Sequence, residues 1–163
     1  MTAPELAPVL DGADYIEFRE IEGDVSLREF VAGALGWSPG WLKILFGARY
    51  LLARALRLDT AGIPRSPRVR AEDVGFAPGD RLSFFTVRAG DEDRYLVLGV
   101  DDNHLNAHLT VVAEPISGTR KRFQLGTIVH YKRRAGRFYF ALIKPCHHLV
   151  IRGMLHAGVA RRA

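Results

Sequence analysis

The spacing of apolar positions changes period several times along the chain, and each change marks an element. From Asp14 to Ile21, Tyr15, Glu17 and Arg19 alternate with Ile16, Phe18 and Glu20, the two-residue period of a strand with one wet face. Gly23-Asp24 ends it. Ser26 then precedes Leu27, Phe30, Val31 and Ala34, with Glu29 three residues after the serine. That is a capping box opening a short amphipathic helix, which Ser38-Pro39-Gly40 breaks. Trp41 to Leu58 is the most apolar segment, eighteen residues, close to the length that crosses a bilayer. Lys43, Gly47, Tyr50, Arg54 and Arg57 nevertheless draw one polar stripe down it. Its four cations, counting Arg49, would each cost a few kcal/mol in hydrocarbon. The spacing predicts a soluble helix buried on most of its circumference, with a membrane-surface helix as the alternative.

Asp59 to Pro78 is rich in proline and glycine and reads as an irregular crossing with room for one short strand near Arg68 to Val74. After Pro78-Gly79-Asp80 come five strand-like runs: Arg81 to Arg88, Arg94 to Asp101, His104 to Glu114, Lys121 to Lys132 and Arg137 to Ile143. Gly90-Asp91, Asp102-Asn103, Ser117-Gly118 and Ala135-Gly136 separate them with hairpin chemistry, and such short links favour an antiparallel meander. Pro145 stops the last run. From Cys146 the period becomes about 3.6, with Val150, Ile151, Met154 and Leu155 on one face, His147 one turn before them and Gly158 one turn after. His148, Arg152 and His156 form a more polar stripe. Gly153 and Gly158, poor helix formers, thin this terminal helix where it crosses the sheet, either for close packing or to leave room.

Bulk properties narrow the class without naming a reaction. The chain of 163 residues is 48% hydrophobic and 25% charged, which fits one globular domain with a real core. Prolines 4 and 8 predict a loosely ordered leader over 1–13, ahead of a single domain over 14–163. Cys146 stands alone, so no internal disulfide is expected, and a cytoplasmic location fits this and the absence of a secretory leader. The net charge of +5 comes mainly from scattered arginines. The densest run, Tyr131 to Arg137, reads as a solvated hairpin tip. No specific nucleic-acid binding is expected: contact with DNA should be weak, sequence-blind and lost on raising salt from about 50 to 200 mM.

The order of elements resembles the helix-grip fold of the START, Bet v 1 and polyketide-cyclase (SRPBCC) superfamily. Within it, Leu98-Gly99-Val100-Asp101-Asp102-Asn103-His104-Leu105-Asn106 and Pro145-Cys146-His147-His148-Leu149-Val150 resemble a bacterial family known as domain of unknown function 2867. The resemblance implies an α+β fold: a curved antiparallel sheet of six or seven strands, two helices after strand 1, and a long C-terminal helix packed across the sheet. It also implies a cavity between that helix and the sheet, and leaves the chemistry open.

Individual residues sharpen the expectation. Asp101-Asp102-Asn103-His104 is either a tight turn or an acid and a histidine at a cavity mouth. Metal binding is not expected. His104 and His108 are four strand residues apart, about 13 Å, and His148 and His156 two helical turns apart, about 12 Å. Neither pair closes on one ion. Helical phase aims His147 at the sheet, as a satisfied core residue or an acid–base group, while Cys146 diverges from it by about 100° and cannot pair with it. Phe84, Phe85, Tyr95, Phe123, Tyr131, Phe138, Tyr139 and Phe140 supply core, with tyrosines able to orient a ligand's polar end. The expected ligand-binding set is Tyr95, His104, Tyr131, Tyr139, His147, Ile151 and Met154, with no cofactor and no transmembrane segment, and with a homodimer left open. The expected function is binding of a small, mostly hydrophobic molecule. A cyclase, isomerase or dehydratase using the same cavity is the alternative, with His147, His104 or a tyrosine as acid–base group. A basic module for membrane or nucleic acid is the third.

Overall fold

The computed structural model describes residues 4–58 and 69–160. The two-residue periods become six strands in one antiparallel sheet: β1 (Tyr15–Gly23), β2 (Arg81–Leu82), β3 (Phe85–Asp91), β4 (Tyr95–Asp101), β5 (Leu105–Ser117) and β6 (Arg120–Tyr131). Their order is β1-β6-β5-β4-β3-β2, so the first strand closes beside the last, with Tyr15 opposite Val129. Register shifts at Val87/Ala89 and Pro115/Ser117 mark bulges, which bend a strand and increase its twist. Among the described residues four helices accompany the sheet: α1 (Ala7–Leu10), α2 (Leu27–Leu35), α3 (Gly40–Ala55) and α4 (Arg134–Val159). This is the helix-grip arrangement, with α4 laid across the sheet's inner face.

The capping box forms as the sequence predicts. Glu29 N–H donates to Ser26 Oγ at 3.1 Å, and Ser26 N–H donates to the Glu29 carboxylate at 2.7 Å. α2 then packs its buried Leu27, Phe30 and Val31 against α4's Ile151, Met154 and Leu155 and the inner-face residues Leu98, Val111 and Phe123. The Phe30 and Phe123 rings stack at 4.3 Å. Glycines set how close the helices come. A Cβ on Gly158 would lie 2.6 Å from the Phe30 ring, and one on Gly33 would lie 2.6 Å from the Ala157 carbonyl oxygen. Of the two readings of the terminal-helix glycines, close packing is the one realised.

Five expectations are corrected. Arg137 to Ile143 is not a strand but the first part of α4, which runs through Pro145. Dense apolar runs do not distinguish a buried strand from a helix, and here the buried Gly136, Tyr139 and Phe140 with half-buried Ile143 already carry the helical spacing that continues to Gly158. Pro145 is tolerated because Ala141, whose carbonyl loses its amide partner, is on the exposed side where water can serve it. The basic run from Tyr131 to Arg137 is therefore the β6–α4 junction, not a hairpin tip, and Gly136 is required there by a close approach to the His104 carbonyl oxygen, 2.3 Å from where its Cβ would stand. The segment expected to be a loose leader forms a 3-10 turn (Pro4–Leu6) and α1 from Pro4 to Leu10, with Leu6 fully buried against Val97 and Val112 on the outer face of the sheet. α3 is a helix, but only Leu42 and Ala53 are buried, and Trp41, Ile44, Tyr50 and Leu51 are exposed. Residues 59–68 of the expected crossing lie outside the described residues, and Ala71–Asp73, where a short strand was expected, is a 3-10 turn.

Candidate ligand-binding cavity

Between α4 and the inner face of the sheet, under the α2–α3 connection, lies a cavity of about 210 Å³. An engineered apolar cavity of about 150 Å³ takes up benzene, so there is room for a ligand of one or two rings. Its walls are mostly apolar. Trp37, Leu42 and Phe46 close one side, Phe84 and Phe85 another, and Leu109 and Val129 the floor. Ile151 and Met154 reach it from α4.

Several polar side chains reach this mostly apolar space, among them His108 and Thr127 of the sheet, and three come from the helices: His147, Tyr139 and Arg49. His147 reaches the sheet from α4, its Nε2 3.2 Å from Thr127 Oγ1. Burial depresses its pKa to about 4, with Arg49 and Arg19 adding to the effect of His148, and Glu17 opposing it. His147 is therefore a neutral imidazole at neutral pH. Tyr139, one helical stretch earlier, receives a hydrogen bond on its hydroxyl from Arg49 Nε of α3, and the guanidinium carbon stands 5.7 Å from the ring centroid. Burial raises the Tyr139 pKa despite the neighbouring Arg49, so the phenol stays protonated and can itself donate. Among the described residues Arg49 makes no ion pair. Asp102, in the β4–β5 turn, is the carboxylate on the rim.

The cavity thus gathers Tyr139, His147, Ile151 and Met154 of the expected set and leaves out the other three. Tyr95 points the other way. Leu96 and Leu98 face the core, so the two-residue period sends Tyr95 to the outer face with Val97, Leu10 and Phe18. A groove there is nominally larger, about 540 Å³, but it is walled by Glu5, Asp93, Arg94, Glu114 and Lys121, and the Arg94–Glu5 pair at 2.7 Å already neutralises part of it. It is a wet surface groove and a poor match for an apolar ligand. His104 is buried edge-on to Tyr139 at 5.3 Å, and its carbonyl accepts from the Lys132 and Arg133 amides. It braces the β6–α4 junction and does not line the cavity. Asp101 to His104 is accordingly the β4–β5 turn, closed by Asp102 N–H donating to the Leu105 carbonyl. Tyr131 packs at the end of β6 against Phe140, 6.2 Å between centroids, and also stands outside the cavity.

Sequence reasoning missed Arg49, Thr127 and Trp37. Arg49 entered only as a charge that disfavours a membrane span, although its position seven residues after Leu42 and four before Ala53 places all three on one helical face. A second polar cluster sits on the β1 side of α4: His148 Nδ1 and Arg19 Nε meet Glu17 Oε1 at 2.9 and 2.7 Å, and Tyr15 donates to Glu17 Oε2 at 2.7 Å. Burial alone would raise the Glu17 pKa, but these three donors outweigh it and lower it. The cluster anchors α4 to β1 as a satisfied network and leaves no open position for a substrate. No group of histidine, cysteine and carboxylate side chains suited to a metal ion occurs among the described residues.

A family model described as a protein of unknown function, DUF2867, matches residues 9–154. The chain belongs to this family. No curated protein matches it significantly. Among solved structures, a hypothetical protein from Helicobacter pylori aligns with TM-score 0.48 at 12% identity, over 98% of this chain and 95% of its own. Norcoclaurine synthase from Thalictrum flavum aligns with TM-score 0.43 at 12% identity, over 91% and 95%. A START superfamily protein from Mycobacterium smegmatis aligns with TM-score 0.40 at 9% identity, over 86% and 94%. Scores and identities this low say nothing of what DUF2867 members bind.

Proposed function

We propose that this DUF2867 protein binds a small, mostly apolar molecule between the sheet and α4, and that the molecule carries one anionic or strongly accepting end. The observation that carries the reading is the placement of Arg49, Tyr139 and His147 in a mostly apolar cavity of about 210 Å³, whose lining also includes His108, Thr127 and, on the rim, Asp102. Arg49 offers a permanent cation with donors left over after its bond to Tyr139. Tyr139 offers a protonated hydroxyl, and His147 a neutral ring nitrogen beside Thr127. A pocket with apolar walls and a few convergent donors selects ligands by shape and orients them by the polar end.

The enzyme alternative loses its leading acid–base group. A general base works best with a pKa near the operating pH, and His147 is held at about 4 by burial. It serves better as a fixed hydrogen-bonding group than as a proton carrier.

The test compares 2-naphthoate with its neutral, nearly isosteric amide by calorimetry. The acid should bind more tightly by roughly tenfold or more, the size of a hydrogen bond to a charged group. Arg49→Met should erase that preference and leave the amide unchanged, while Met154→Trp should abolish binding of both. If neither compound, nor any in a panel of similar aromatic acids, binds the wild type, the reading fails. If binding survives Met154→Trp, the ligand sits elsewhere.

A further inference from the structure

We propose that the outward face of α3 docks on an anionic lipid bilayer surface. Ile44 and Leu51 are 76% and 66% exposed. With the exposed Gly47, Ala48 and Ala55 they fall at i, i+3, i+4, i+7 and i+11, which is one stripe directed away from the protein.

The charges beside the stripe choose the occupant. Gly40–Ala55 contains no acidic residue, the exposed Lys43 and Arg54 run along one edge with Tyr50, and the exposed Arg57 stands just past the helix end. Among the described residues these three cations make no ion pair. Trp41 borders the other side. An apolar stripe edged by basic and aromatic residues suits the boundary between headgroups and acyl chains, and its cations are complementary to anionic lipid. A second copy fits less well, since an antiparallel twofold pairing would set two basic edges against each other. Two large and three small side chains also fall far short of the about 800 Å² per partner of a stable interface. The helix lies on the surface and does not cross it: no helix among the described residues is long and apolar enough to span a membrane. The opposite face of α3 carries Leu42, Phe46 and Arg49 into the cavity wall. Docking would therefore bring that wall up to the lipid. The proposal stands independently of any ligand.

The full chain is sedimented with vesicles of phosphatidylcholine alone and with one third phosphatidylglycerol, at 150 mM salt. Pelleting should occur with the anionic vesicles only. Ile44→Glu with Leu51→Glu should weaken it at least about tenfold while thermal melting, followed by circular dichroism, stays at the wild-type temperature, because neither side chain is buried. Should that pair disturb the fold, Ile44→Ala with Leu51→Ala replaces it. Neutralising Lys43, Arg54 or Arg57 with glutamine should cost roughly fivefold for each charge. The proposal is overturned if the wild type does not pellet with anionic vesicles, or if the Ile44/Leu51 variants pellet as well as wild type. A concentration-dependent dimer that those variants dissolve would assign the face to a second copy and equally overturn it.

Discussion

The two halves of α4 meet the rest of the protein in different ways. From Ile151 to Gly158 the helix is pressed onto α2 and the sheet, with glycines where Phe30 and Trp37 come closest. From Tyr139 to His147 the same helix presents large aromatic and polar side chains, and the cavity opens beside them. Small residues let backbones approach and fill space, whereas bulky ones meeting other bulky ones at the end of a sheet hold the layers apart. One helix thus supplies both a solid grip and an open chamber, and the residue sizes along it decide where one gives way to the other.

The largest effect that would break this contrast is at the tight end. Gly158→Leu gains about 1 kcal/mol of helix propensity but drives a side chain into Phe30, which is fully buried and has nowhere to go. Net destabilisation by about 3 kcal/mol should appear in urea unfolding, because a clash with a ring that cannot move exceeds the usual overpacking cost and outweighs that gain. A loss below about 1 kcal/mol would mean that this end is not tightly packed.

At the open end the strongest signal is pH dependence. His147 titrates at about 4 in the folded protein, against an ordinary 6.5, because burial disfavours the cation. Above 6.5 both folded and unfolded chains hold it neutral, and it adds no pH dependence. Between 6.5 and 4 the unfolded chain takes up a proton that the native one refuses, so stability falls as pH falls, by on the order of 3 kcal/mol across the window. Stability measured by denaturant at steps from pH 7 to 4 should therefore decline less steeply in His147→Gln. Glu17, whose pKa is lowered, also loses stability on acidification and remains in the variant, so the comparison is between slopes.

Met154 borders both halves and gives a smaller effect. Met154→Trp should melt within about 1 kcal/mol of wild type, since the added ring has the cavity to enter. A penalty above about 3 kcal/mol would show that the space beside Met154 cannot accept it. The smallest expected effect is none: Tyr95→Phe, on the outer face, should leave 2-naphthoate affinity unchanged, and a measurable loss would move the site out of the cavity.

Most of the sheet and its hairpins at Asp102-Asn103 and Ser117-Gly118 were legible because alternation and turn residues are local signals, whereas the break expected at Gly90-Asp91 lies inside β3 and the run from Arg81 is divided at Ser83-Phe84. The Ser26–Glu29 box, the inward aim of His147 and the turn at Asp102-Asn103 all follow from neighbours within one turn of chain. What stayed hidden depends on distant parts. Arg137 to Ile143 reads as a strand until it is seen that Tyr139 and Phe140 need the phase of Ile151 and Met154, beyond a proline that ordinarily ends a helix. Apolar content made α3 look buried, yet which of its faces is covered depends on α4 and the cavity, and most of the helix is left uncovered. The cavity's cation comes from α3 and its phenol from α4, ninety positions apart, so no local motif announces the pair.

The seat of β1 at the edge of the sheet has a consequence for the order of assembly. β3 through β6 are joined by short turns, so each of their pairings closes only a small loop. Tyr15 opposite Val129 must instead close a loop of more than a hundred residues, and loop-closure entropy makes such a contact the slowest to nucleate. The hairpins are expected to form first and β1 to dock last, bringing Glu17 up to His148 on α4. On that order of assembly the β6 edge is the last to be covered, and it is the edge at which pairing with another molecule is expected if β1 is removed.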